Sequence, residues 1–192
     1  MMYKQKRYTL RAINLIKEKR CGKIKGRTCV DGSKQRSYIP KEETSSPAIG
    51  LEAFFELLLI DVFEDRSMQT FDVPGAYLHA DLPKDKNVYM RVEVEFVEIM
   101  CEVNLDYAAT VTFENGKKVF YVKNKKAIYG MVASVLLWYE LFSTTLQNIG
   151  FTINTYDKCL ANKMVNGKKF TMAWYVDDIK ITPRGQGMHP DS

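Results

Sequence analysis

The sequence predicts an α+β fold in which an antiparallel sheet is backed by helices, and three observations carry that reading. Two Asn-Gly dipeptides, Asn115-Gly116 and Asn166-Gly167, each sit between apolar, aromatic or β-branched runs, the strongest short-range signature of a β-hairpin. Two longer stretches instead space their apolar residues for one face of a helix. Strand-forming segments cluster in hairpins rather than alternating regularly with helices, which separates α+β from α/β.

Taken in order, residues 8–17 have mixed helical periodicity and run into Gly22, Gly26 and Gly32. Residues 23–30 read as part of a strand pair with a turn at Asp31-Gly32. Thr44-Ser-Ser-Pro47 supplies helix-start chemistry. After it Leu51, Phe54, Phe55, Leu58 and Val62 fall at helical spacing, predicting a buried amphipathic helix over 49–63. Residues 68–73 read as a buried strand ended by Pro74-Gly75, and residues 88–90 and 92–97 as extended. The hairpin at Asn115-Gly116 follows. Val135, Trp138, Tyr139, Phe142, Leu146 and Ile149 predict a second helix that stops at Gly150. The last unit is a hairpin of strands 159–165 and 170–176, continued past Asp177-Asp178 by a short strand over 179–182.

Composition bounds the function. With 192 residues, 46% hydrophobic and 27% charged, the chain has the make-up of a folded globular protein. No apolar run approaches the ~20 residues that cross a bilayer. The basic N-terminus has no apolar core or cleavage site behind it, so an intracellular, non-secreted protein with no membrane association is expected. Cys21, Cys29, Cys101 and Cys159 form no CxxC pair and have only His79 and His189 as companions, which argues for reduced thiols rather than zinc or a disulfide framework. The net charge of +5 is unevenly placed: twelve Lys or Arg face two acids through Arg36, and sixteen face twenty-one in the remainder. A basic arm beside an acidic body points to a polyanionic partner.

The acids include the sharpest local feature, Trp174-Tyr-Val-Asp-Asp-Ile-Lys-Ile-Thr182. Adjacent aspartates between apolar β stretches repel one another and resist burial. A turn relieves the burial, and hard divalent cations relieve the repulsion too. Because side chains alternate along a strand, only one of Asp177 and Asp178 can face a groove squarely, so a carboxylate from a neighbouring strand is required. Asp72, ending Thr70-Phe-Asp-Val73 ahead of the Pro74-Gly75 turn, is the candidate, expected to meet Asp177 with Asp178 nearby and turned partly away. An ordinary β-turn also accommodates two aspartates. The order of the surrounding motifs decides between the two readings.

Those motifs resemble the reverse transcriptase domain of copia-type retrotransposons. Tyr175-Val-Asp-Asp178 is similar to the paired-aspartate motif, and Phe71-Asp-Val-Pro-Gly-Ala-Tyr-Leu-His-Ala-Asp-Leu82, with Val88-Tyr-Met90, to the first-aspartate motif and its hairpin. Lys25-Gly-Arg27 resembles the fingers motif, and Thr44-Ser-Ser-Pro47 the element before the long helix. Ile128-Tyr-Gly130 with Trp138-Tyr139 resembles the middle motif, and Gly150-Phe151 with Tyr156-Asp-Lys-Cys159 the approach to the final hairpin. The resemblance implies a fingers and palm domain over 23–182, preceded by a basic arm over 1–22 and followed by an irregular tail over 183–192. It implies that Asp72, Asp177 and Asp178 are catalytic and hold two Mg²⁺ ions, with Mn²⁺ able to replace them. Lys25, Arg27, Gly75, Ala76, Tyr77 and Gly130 would contact the dNTP, with Tyr77 as the aromatic that excludes a 2′-hydroxyl. The partners implied are an RNA or DNA template with primer, and the thumb and RNase H regions of a polyprotein. The location implied is the cytoplasm, in a virus-like particle, or the nucleus.

One motif departs from the family. Where the middle motif normally continues Leu-Lys-Gln-Ser-Pro-Arg, this chain has Met131-Val-Ala-Ser-Val-Leu136, which removes polar groups expected near nucleotide or template. The readings kept beside the polymerase are a catalytically inactive remnant that binds nucleic acid, and a carboxylate nuclease drawing on His79 and Asp81.

Overall fold

The computed structural model describes residues 9–183. In chain order its elements are β1 (Leu10–Glu18), β2 (Ile24–Asp31), α1 (Leu51–Phe63), β3 (Gln69–Asp72), β4 (Tyr89–Glu93) and α2 (Glu95–Val103). They continue with β5 (Thr112–Glu114), β6 (Lys117–Lys123), α3 (Ser134–Asn148), β7 (Thr152–Ile153), β8 (Leu160–Val165), β9 (Lys168–Tyr175) and β10 (Asp178–Pro183). The chain folds into two compact units. One holds the chain up to Thr44 together with Ala80–Ser134, and the other Ser45–His79 together with the chain from Val135 on.

The first unit is built on a sheet of order β2-β1-β4-β6-β5. Its strands are antiparallel except where β1 lies parallel to β4. Asn115-Gly116 makes the expected hairpin between β5 and β6, both residues with positive φ (49° and 75°), as a two-residue turn of that hand requires. The N-terminal stretch differs from its sequence reading. From Leu10 it is a strand, paired residue for residue with β2, and the chain reverses between Glu18 and Ile24 rather than at Asp31-Gly32. The boundary expected at residue 22 therefore falls inside a hairpin turn. Backbone pairing with β2 from Arg11 to Glu18, and with β4 at Leu10 and Arg11, outweighs a weak helical period. At Asp31 the carboxylate Oδ1 accepts the Ser33 amide at 3.0 Å, and a 3₁₀ turn over Ser33–Ser37 follows.

Residues 92–97 also differ from expectation. The extended chain ends at Glu93; Val94 takes φ 40° and α2 begins. The helix brings Val97 against Val92 and Phe120 in this unit's core, and Tyr107 stacks on Phe120 at 5.5 Å between ring centroids.

The second unit has an all-antiparallel sheet, β3-β10-β9-β8-β7. Asn166-Gly167 turns β8 into β9 as expected. Met172, Trp174, Ile179 and Ala161 pack with Leu146 of α3, and α3 stops at Gly150, φ 91°, a conformation glycine adopts without strain. Ile149, one of the apolar residues that predict this helix, is exposed, as are all four residues of β3, an edge strand. Helix α1 matches its predicted span but not its predicted burial: Leu57 and Asp61 are its buried residues, while Leu51, Phe55 and Val62 are exposed. It starts at Gly50, whose amide donates to Asp157 Oδ2 at 2.8 Å, so the Thr44-Ser-Ser-Pro47 segment does not cap it. Thr44 Oγ1 donates instead to the Lys41 carbonyl at 2.7 Å.

Ile179 and Ile181 belong to the apolar cluster that contains Leu146, whereas Lys180 pairs with Asp61 of α1. Alternation along β10 therefore sets α3 and α1 against its two faces. The α1 face carries a polar network: Arg66 binds Glu64 (2.7 Å) and Thr171 Oγ1 (3.2 Å), and Thr171 Oγ1 donates to Asn162 Oδ1 at 2.9 Å. Among the described residues no helix is long and apolar enough to cross a membrane.

Candidate active site

The end of β3 and the start of β10 bring two of the three carboxylates together. Asp72 lies directly opposite Asp178 in the antiparallel register. The Val73 amide donates to the Asp177 carbonyl at 3.0 Å, which makes Asp72/Asp178 a non-hydrogen-bonded pair. This is the closer of the two antiparallel pair types, with Cα atoms about 4.5 Å apart and side chains on one face. Asp178 is also opposite Tyr175 of β9, so Tyr175, Asp178 and Asp72 form a row across three strands. All three are exposed, at the open end of the face whose other end is closed by Lys180 and α1.

The expected partner of Asp72 is Asp177, with Asp178 turned partly away. The register assigns the facing position to Asp178, and Asp177 is the second residue of the hairpin loop. Among the described residues no group of three or more His, Cys, Asp or Glu side chains is arranged to hold a metal ion. The facing pair still suits a hard divalent cation, since Mg²⁺ is commonly held by one or two carboxylates with substrate oxygens completing its shell. Asp177 is adjacent but not gathered into a three-ligand cage.

The loop that carries Asp177 is unlike the two Asn-Gly hairpins. Its first residue, Val176, has φ 56°, a left-handed conformation that glycine favours and that costs a β-branched residue on the order of 1–3 kcal/mol. Its carbonyl is held: Trp138 Nε1 of α3 donates to Val176 O at 2.7 Å. Trp138 is itself buried, stacked on Phe142 at 5.3 Å and 6.2 Å from the His79 ring.

Gly75, Ala76 and Tyr77 follow Asp72 in the same unit. Gly75 has φ 66° and its carbonyl accepts the Leu78 amide at 2.7 Å, opening a 3₁₀ turn over Ala76–His79. Ala76 is fully buried and Tyr77 half-buried. His79 Nε2 lies 3.2 Å from the Pro74 carbonyl, a contact across this turn.

Lys25, Arg27 and Gly130 belong to the first unit. Lys25 and Arg27 sit two apart on β2, both exposed and on one face, and the Arg27 guanidinium lies 4.7 Å over the Tyr129 ring. Gly130 has a packing reason to be glycine: φ is 88°, and a Cβ there would stand 1.9 Å from the Val30 carbonyl oxygen. The Val30 amide donates to Tyr129 O at 2.8 Å, and buried Gln35 accepts the Val132 amide at 2.9 Å. The departing motif is thus a tightly packed backbone crossing, and Ser134 is spent internally on the Ile128 carbonyl (2.7 Å).

Sequence reasoning placed Trp138 on one face of a helix and missed it as a donor to the aspartate loop. It also missed the Asp61–Lys180 pair, although an acid inside the apolar run 57–63 and a lysine between Ile179 and Ile181 are both visible in the sequence.

Compared with known proteins, residues 5–191 match the family model described as reverse transcriptase (RNA-dependent DNA polymerase). The chain is 25% identical over 167 residues to the retrovirus-related Pol polyprotein from transposon TNT 1-94 of Nicotiana tabacum, covering 86% of this chain and 11% of that protein. It is 28% identical over 161 and 160 residues to the Pol polyproteins from transposons RE1 and RE2 of Arabidopsis thaliana, covering 83% of this chain and 10% of each. The chain spans about a tenth of the length of these relatives.

Proposed function

This chain belongs to the reverse transcriptase (RNA-dependent DNA polymerase) family, with its motifs and relatives those of copia-type retrotransposons, and we propose that it carries the nucleotidyl-transfer site of an RNA-directed DNA polymerase, extending a primer on an RNA or DNA template. The observation that carries this reading is the register that sets Asp72 opposite Asp178 at the exposed end of a sheet. Asp72 and Asp178 would hold divalent cations, Mg²⁺ or Mn²⁺, with Asp177 beside them. When bound, a pair of such ions activates the attacking oxygen and neutralises charge on the reacting phosphate.

The chain's own residues then have positioning roles. Tyr175, in the same cross-strand row as the carboxylates, offers a ring to the primer end. Gly75 lets the backbone approach the triphosphate with no side chain in the way. Tyr77 would be the aromatic ring that excludes a 2′-hydroxyl. Lys25 and Arg27 offer two cations on one strand face for phosphate oxygens. Little covalent work falls to the protein in phosphoryl transfer, so placement and charge carry the rate. Action within a longer Pol polyprotein accords with the relatives' names, and we propose that this action takes place inside the cell.

The test is primer extension with Mg²⁺ by the wild-type chain and by Asp72→Asn and Asp178→Asn, alongside template–primer binding. Extension abolished by either substitution, with binding retained, supports the proposal. A wild-type chain that binds template–primer tightly but never extends it would favour the inactive remnant instead, a reading to which Val132, Ala133, Val135 and Leu136 in the middle motif lend weight.

A further inference from the structure

Three features of one loop converge on a residue that the carboxylate site does not include. The loop between β9 and β10 must deliver Asp177 and Asp178, yet it begins with valine at φ 56°, where a two-residue hairpin loop normally places glycine or asparagine. A β-branched residue relaxes from the left-handed region unless its surroundings hold it there. The groups that hold it are on the page: the Trp138 indole N–H donates to the Val176 carbonyl at 2.7 Å, and the Val73 amide donates to the Asp177 carbonyl at 3.0 Å. The first ties the loop to α3, the second to β3, so the peptide units on either side of Asp177 are fixed from two directions.

The indole is itself held by packing. Trp138 is 6% exposed, stacks on Phe142, and Phe142 meets Trp174 edge-on at 5.4 Å. A rigid donor fixes a carbonyl's direction as well as its distance. Beside it lies a cleft of about 250 Å³ lined by residues including Ser46, Pro47, Tyr139 and Tyr175, so the loop is not wedged in place by packing on every side.

We propose that Trp138 is a positioning residue: its indole N–H clamps the Val176 carbonyl, holds the left-handed valine, and thereby sets Asp178 against Asp72. The clamp acts through the backbone and touches neither cation nor nucleotide. It rests on the carboxylate reading proposed above, because what it positions matters only if Asp72 and Asp178 bind a cation. The strain gives the clamp a specific signature. Glycine adopts positive φ without cost, so a glycine at 176 should make the indole dispensable.

The experiment uses the full chain with Mn²⁺ as probe. Trp138→Phe keeps an apolar ring but removes the donor; Val176→Gly removes the strain; the double variant combines them. Mn²⁺ affinity is read by titration, thermal stability by circular dichroism, and the clamp itself by hydrogen exchange of the indole N–H, resolvable because the chain has two tryptophans. Trp138→Phe should weaken Mn²⁺ binding by roughly two- to tenfold, the worth of one hydrogen bond. Val176→Gly alone should bind as wild type, and the double variant should recover most of the loss. Wild-type affinity in Trp138→Phe, or a loss that Val176→Gly does not restore, overturns the proposal. Should Trp138→Phe not fold, the wild-type chain still decides: a Trp138 indole that exchanges at the rate of an exposed one has no clamp, and one protected to the level of the Val73 amide does. A wild-type chain that binds no Mn²⁺ defeats the carboxylate reading, a result distinct from loss of the clamp.

Discussion

The buried pair between Asp61 of α1 and Lys180 of β10 gives a quantitative test of how the aspartate-bearing sheet is held. Asp61 is fully buried at its side chain and Lys180 is 10% exposed there; Arg66 Nη1 stands 3.9 Å from Asp61 Oδ1, an oxygen with no hydrogen-bond donor among the described residues. Lys180→Met removes the ammonium and strands a buried carboxylate. Breaking one side of a buried pair costs about 3–5 kcal/mol, and the residual Arg66 contact puts the expectation near ~3 kcal/mol. For a chain of this length each kcal/mol lowers Tm by about 2–4 °C, so a fall of about 6–12 °C is expected in a calorimetric or circular dichroism melt. The double variant Asp61→Leu/Lys180→Met replaces charge with packing of similar volume and should recover most of the loss. A Lys180→Met chain that melts with wild type, or a double variant no better than the single, would refute the argument.

Three further outcomes are expected. Burial pushes the Cys159 thiol up from 9.0 to about 12, with the Asp157 charge adding to the effect; a maleimide at neutral pH should therefore modify exposed Cys21 and spare Cys159 until the chain unfolds. Because the folded state holds that proton more tightly, the associated stability is fully present below about pH 9 and falls as pH rises towards 12, which an alkaline series of melts would show. Gly130→Ala should destabilise, its Cβ meeting the Val30 carbonyl at 1.9 Å with φ at 88°, whereas Gly26→Ala, with nothing within 4 Å, should be neutral in the same melt. Tyr77→Val should admit ribonucleotides in an incorporation assay while leaving Mn²⁺ affinity unchanged; lost stability with unchanged sugar discrimination would make Tyr77 a packing residue only.

The elements legible in the sequence were those with local causes. Asn115-Gly116 and Asn166-Gly167 fold as hairpins because few residues accept two consecutive positive φ angles, and Gly150 ends α3 for a related reason. What stayed hidden depends on partners distant in sequence. Residues 10–18 form a strand because β2 and β4 flank them, α2 starts where Val94 turns the chain, and the exposure of Leu51, Phe55 and Val62 on α1 is set by which face the sheet meets. In the site, the approach of Asp72 to the aspartate hairpin was legible, since adjacent acids between apolar strands repel and call for a carboxylate from a neighbouring strand to share a cation. Which of Asp177 and Asp178 faces Asp72 was not, because strand alternation gives one of the two but only the register between β3 and β10 says which. The same limit hid Trp138 behind its apolar ring and Asp61 and Lys180 behind 119 residues of separation.

The most direct test of the central claim is an electron paramagnetic resonance titration of Mn²⁺ against the wild-type chain and its Asp72→Asn, Asp177→Asn and Asp178→Asn variants. The facing register predicts that Asp72→Asn and Asp178→Asn each lose most of the affinity and that Asp177→Asn loses less. Wild-type Mn²⁺ binding in both Asp72→Asn and Asp178→Asn would contradict it.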